Sequence, residues 1–180
     1  MLTITVPGVE LFNDETKKFS TTETTVLELE HSLVSLSKWE SKWQIPFLGK
    51  EAKTNEQIID YIKLMCLSPG VPDETFKRLS GPNYEDINKY INATQTATWF
   101  REEPNQPVNR EIITAEIIYY WMISLQIPLE CEEWHLNRLF TLVRVLNQKN
   151  APKKKQNTQS AAEQRRALNE ARLKQYSTTG

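Results

Sequence analysis

Leu2, Ile4 and Val6 alternate with Thr3 and Thr5, a period of two that predicts a strand with one buried face. Pro7-Gly8 breaks it, and Asn13-Asp14-Glu15-Thr16-Lys17-Lys18 reads as a turn. A second alternation follows, with Val26, then Leu27 and Leu29 against Glu28 and Glu30. Together these segments predict a small N-terminal antiparallel hairpin over residues 1–31. A lone hairpin is marginal in water, so it needs a helical layer to pack on.

After His31 the period lengthens. Leu33, Leu36, Trp39 and Trp43 recur at three and four residues, which predicts a helix over 32–43 that Pro46 terminates. Thr54-Asn55-Glu56-Gln57 has the form of a capping box, followed by Ile58, Ile59, Ile62, Met65 and Cys66 on one apolar face. This predicts a helix over 55–67, closed by Pro69-Gly70. Short helices are expected over Asp73–Leu79 and Asn83–Ile91. Residues Thr94 to Val108 read as loop, with Thr96-Ala97-Thr98-Trp99-Phe100 as a candidate short strand. Arg110 to Leu125 is apolar nearly all round, which predicts a helix at the centre of the core. After Pro128 a further helix is expected over 131–148, its first-turn acids matching the helix dipole. The helical core domain therefore spans 32–150. Residues 151–180 form a basic linker and a C-terminal segment of high helix propensity, with Leu168 and Leu173 as its main apolar anchors. The fold class is α+β, predominantly helical.

Charge changes this picture. From Lys149 to Gly180 there are eight basic and two acidic residues, net +6; the other 148 carry 14 basic and 21 acidic, net −7, against −1 for the whole. A basic tail on an acidic body suits a polyanion or an acidic partner, and equally suits plain solvation. Charges interrupt every apolar run well before the roughly 18 residues that span a bilayer. The start of the chain lacks the basic and apolar regions of a secretory signal, so no export is expected. Cys66 and Cys131 are too few for a disulfide framework, which points to a reducing compartment.

No glycine-rich phosphate loop, Gly-x-Ser-x-Gly elbow or Cys-x-x-Cys pair is present. Both histidines sit in Glu-x-x-His strings, Glu28 with His31 and Glu132 with His135. Paired strings of this kind hold two irons in helical bundles, but Glu28–His31 runs through a predicted strand, where i and i+3 face opposite ways. Cys131 and His135, four apart on the expected helix, make half a zinc site with no second half. Cys66 among Leu64, Met65 and Leu67 is expected as a buried, inert thiol. No catalytic residue, cofactor or metal is therefore expected, and the chain reads as non-enzymatic. The tryptophans are mainly core, with Trp43 and Trp99 as candidate partner contacts. Lys153, Lys154, Lys155, Arg165, Arg166 and Arg172 form the candidate polyanion-binding set.

Two stretches carry a resemblance: Leu27-Glu28-Leu29-Glu30-His31-Ser32-Leu33 through Ser37-Lys38-Trp39-Glu40-Ser41-Lys42-Trp43, and Glu111-Ile112-Ile113-Thr114-Ala115-Glu116-Ile117-Ile118-Tyr119-Tyr120-Trp121-Met122 through Trp134-His135-Leu136-Asn137-Arg138-Leu139. The chain resembles tailed-bacteriophage proteins of the structural gene region, most closely the tail assembly chaperones of long-tailed phages. The resemblance implies a mostly helical protein of the infected bacterial cytoplasm, absent from the mature virion. Its partner would be the tape measure protein, which it coats until tail tube protein polymerises around it; self-association is compatible with that role. Many such chaperones are made in two lengths by ribosomal frameshifting. The adenine-rich codons that Lys153-Lys154-Lys155 requires mark either a candidate slip site or a plain basic linker. A nucleic-acid-binding accessory protein acting through the basic tail is the alternative.

Overall fold

The computed structural model describes residues 1–13, 18–100, 111–151, 165–170 and 172. The chain divides into two units, Met1–Asn147 and Gln148–Gly180. The first contains the hairpin and the helices up to residue 147; the described part of the second is helical over residues 148–150, which end the last long helix, over 165–170 and at 172. The protein is α+β and mostly helical.

Four strands open the chain: β1 (Leu2–Val6), β2 (Glu10–Asn13), β3 (Lys18–Thr21) and β4 (Thr25–Leu29). β1 pairs antiparallel with β4 in the register Leu2↔Leu29, Ile4↔Leu27 and Val6↔Thr25. The period-two pattern does what it predicts: Ile4, Val6, Leu27 and Leu29 are buried, while Thr3, Thr5, Val26 and Glu28 are exposed. β2 and β3 form the outer part of the hairpin, with Asn13 opposite Lys18; residues 14–17 of the expected turn lie outside the described residues. Between the two ladders Gly8 is obligatory for space, since a Cβ there would lie 2.1 Å from the Thr22 carbonyl oxygen.

Helices follow in the expected order: α1 (Leu33–Trp43), α2 (Asn55–Met65), α3 (Asp73–Lys77) and α4 (Gly81–Asn92). Caps set their limits. Ser32 and Ser35 close a reciprocal capping box on α1, Thr54 and Gln57 one on α2, and Ser80 and Asn83 one on α4. α1 ends at Gln44 in the left-handed conformation (φ 55°), two residues before Pro46. Past α2 the chain runs alongside β4: Glu30 N–H donates to Met65 O at 2.9 Å, and Leu67 N–H to Glu28 O at 2.8 Å. This covers a strand edge that would otherwise be open to pairing. It also leaves Cys66 half-buried at the end of α2 rather than fully enclosed as expected.

The second half departs from the expected layout. The helix read over 110–125 is shorter: α5 spans Ala115–Ser124, and Ile112, Ile113 and Thr114 precede it in non-helical backbone. Consecutive β-branched residues lose rotamer freedom in a helix, which favours that start. Residues 96–100 form no strand. The helix expected over 131–148 is two elements. A 3-10 helix covers Leu129–Glu133, and α6 covers Leu136–Asn150. Between them the chain is held extended: His135 bridges to Ser32, and Leu136 N–H donates to His31 O at 2.8 Å. Cys131 and His135 therefore do not share one α-helix.

Two apolar clusters form the core. One joins Ile4, Val6, Leu27 and Leu29 to Trp39, Ile62, Met65, Phe76 and Ile87. The other joins Leu33 and Leu36 to Ala115, Ile118, Met122, Leu136 and Leu139. α1 contributes to both, so α1 and not α5 is the central helix. Glu40, buried on α1, ties the halves together. Its carboxylate accepts from Phe47 N–H and from Ala115 N–H, each at 2.7 Å, fixing the exit of α1 and the first turn of α5.

Candidate functional site

A broad recess in the first unit lies between α2 and α4. The capping box starts α2 at Asn55, which puts Ile58, Ile59 and Ile62 on the side facing α4. From α4, Tyr84, Ile87, Asn88 and Ile91 face back at helical spacing. They enclose a groove of about 570 Å³. Ile62 and Ile87 are its buried floor; Ile58, Ile59, Tyr84 and Ile91 stand at its sides and remain partly open to water. Phe47 and Lys53 complete the lining. Phe47 stacks on Tyr61 at 4.0 Å between centroids and meets Trp39 edge-on at 5.0 Å, so this wall is rigid. Lys53 Nζ lies 4.7 Å from the Phe47 ring centroid and 5.8 Å from that of Trp39. Burial holds its pKa below the usual lysine value.

A second apolar surface lies on α5. Tyr120 and Ile123, three residues apart, are 66% and 70% exposed, and Ile112 and Leu129 are exposed as well. The all-round apolar pattern of this segment thus serves two ends: Ala115, Ile118 and Met122 face the core with Tyr119 and Trp121 packed partly against it, while Tyr120 and Ile123 face solvent.

The expected contact residues fall in different places. Trp43 is half-buried and anchored, its Nε1–H donating to Asp60 Oδ2 at 2.9 Å while Lys42 Nζ pairs with Asp60 Oδ1 at 2.5 Å. Trp99 is 82% exposed, at a shallow recess it lines with Phe100, Phe140 and Arg144. The Arg144 guanidinium sits 4.0 Å over the Phe100 ring. Arg165 and Arg166, in the helical residues 165–170, and Arg172 are exposed. Lys153, Lys154 and Lys155 lie outside the described residues. The remaining tryptophans pack as expected to different depths: Trp39 is fully enclosed, Trp121 and Trp134 partly so.

The two histidines, remote in the chain, meet in the interior with ring centroids 5.2 Å apart. His31 Nδ1 lies 2.5 Å from the Tyr61 hydroxyl. His135 Nε2–H donates to Tyr90 O at 3.0 Å, and its Nδ1 accepts from Asn137 N–H at 3.2 Å. That geometry requires the neutral Nε2–H tautomer. Burial, then the neighbouring His135, pushes His31 down to about 4, against an upward pull from Glu30. Burial also lowers His135. The acids of the Glu-x-x-His strings are elsewhere: Glu28 is exposed, and Glu132 accepts from the Tyr119 hydroxyl at 2.8 Å. Among the described residues no three His, Cys, Asp or Glu side chains are grouped to hold a metal ion. None of the described helices is long and apolar enough to cross a membrane.

No protein family, curated protein or solved structure matches the chain. The groove was missed from the sequence because Ile58, Ile59, Ile87 and Ile91 read as ordinary core positions. The available signal was the width of the α2 apolar face, which includes adjacent Ile58 and Ile59 and exceeds what one neighbouring helix covers.

Proposed function

We propose that this chain is a tail assembly chaperone of a long-tailed bacteriophage, which binds the tape measure protein and keeps it soluble until tail tube protein polymerises around it. The α2–α4 groove is the observation that supports this reading. A long helix with an apolar stripe aggregates unless the stripe is covered, and an open apolar groove of about 570 Å³ between two helices suits that cover. The exposed Tyr120–Ile123 face offers further apolar surface for the same partner or for self-association. The protein acts in the host cytoplasm and leaves before the virion is complete. Its work is to exclude water from another chain, and it makes and breaks no covalent bond.

Co-expression tests this. With the tape measure protein, the wild-type chain yields a soluble complex. The double substitution Ile58→Asp with Ile91→Asp, which puts charge on the groove sides, returns the tape measure protein to the pellet. A tape measure protein equally insoluble with and without this chain overturns the assignment.

Exposure of Arg165, Arg166 and Arg172 favours a second reading, a nucleic-acid-binding accessory protein acting through its basic tail.

A further inference from the structure

Among the described residues Lys53 is the one charged side chain lining the α2–α4 groove, and no carboxylate lines it. Other lysines nearby are paired: Lys42 with Asp60, and Lys63 with Asp73 at 2.9 Å. Lys53 has no ion pair among the described residues. Its ammonium rests instead over the faces of Phe47 and Trp39. Ring faces attract a cation but neutralise none of its charge, and the partly dry setting strengthens its demand for an anion. Asn55 and Asn88, the groove's amide side chains, are exposed and leave that charge unanswered.

We infer that Lys53 is the specificity-determining residue of the groove: its occupant is an amphipathic helix that sets an apolar stripe on Ile58, Ile59, Ile87 and Ile91 and a carboxylate against Lys53 Nζ. This rests on the groove being a helix-binding site and adds a charge rule to it. Apolar burial supplies attraction without direction, whereas one ion pair at one end of an apolar slot fixes which way the helix lies. A helix with a cation at that position meets a like charge instead.

The test uses the full chain and two fluorescein-labelled synthetic amphipathic helices with the same leucine stripe, one with Glu at each end of the stripe and one with Lys. Fluorescence anisotropy at low salt reads the Kd. The wild-type protein binds the Glu helix about tenfold more tightly than the Lys helix. Lys53→Gln levels the two, and Lys53→Glu reverses the preference. Thermal melts followed by circular dichroism confirm that both variants fold, as the partial exposure of Lys53 allows. If both helices bind and Ile58→Asp weakens both, yet Lys53→Glu leaves the preference unchanged, the Lys53 inference fails and the groove stands. If neither helix binds, or Ile58→Asp with Ile91→Asp changes nothing, the groove reading falls and takes this inference with it.

Discussion

A buried imidazole whose second nitrogen must accept a hydrogen bond resists taking another proton. His135 is such a group: protonating Nδ1 turns it from acceptor into donor and forfeits the bond from Asn137 N–H. His31, 5.2 Å from it and 3% exposed, has to desolvate a cation in the core to become charged. Its pKa is about 4 in the fold against 6.5 as the ordinary value. As pH falls below 6.5 the unfolded chain takes up the proton first, so the His31 contribution to stability is full above that value. This contribution declines from 6.5 to about 4 and levels off below. The whole drop corresponds to roughly 3 kcal/mol. Urea unfolding of the wild type across that window is expected to show the decline. His31→Gln, whose amide oxygen can still accept from Tyr61, is expected to flatten it, and equal slopes for the two proteins contradict the account. The strand periodicity that sends Glu28 outward and His31 inward was legible in the sequence. The meeting of His31 with His135 was not, since it depends on the bridge between Ser32 and His135, a long-range contact with no local signature.

Local patterns located most elements well. The Thr54–Gln57 box, the alternation of Leu2, Ile4 and Val6, and the three-and-four spacing from Leu33 to Trp43 each act over a few residues and are honoured in the fold. α5 shows the limit of that reasoning. An apolar residue is equally apolar on either side of a helix, so composition could not say which face of Ala115–Ser124 is buried. The buried face is Ala115, Ile118 and Met122. Met122→Ala is accordingly expected to cost about 2–5 kcal/mol. Its neighbour Ile123, 70% exposed, is expected to tolerate alanine within about 0.5 kcal/mol. Chemical denaturation of the two variants compares them directly; similar losses at both positions would mean that both faces are covered. The division of the expected 131–148 helix has a similar origin, because α-helical propensity at 131–135 is overridden by the hydrogen bond from Leu136 to His31.

Charge is distributed at the scale of the whole chain, −7 before Lys149 and +6 from Lys149 onward. Any nucleic-acid binding must therefore come from the tail, since the acidic part repels phosphate. On that second reading, gel-shift assays at low salt show binding to single-stranded RNA. The binding weakens as salt rises, with a log–log slope of about −0.7 per phosphate contact, and Arg165→Glu with Arg166→Glu and Arg172→Glu abolishes it. An unretarded RNA at low salt removes that reading and leaves the chaperone proposal untouched.

The residue order alone determined the hairpin, the start of α2 at its capping box, and the segregation of charge, because each arises from neighbours within a turn or from simple summation. Tertiary structure decided which apolar side chains stayed open between α2 and α4, that Lys53 lines that groove with no acid beside it, and that two distant imidazoles share one dry pocket. Those outcomes follow from close packing of remote segments. Such packing assigns each side chain either a partner or water, and no short window of sequence contains both members of the pair.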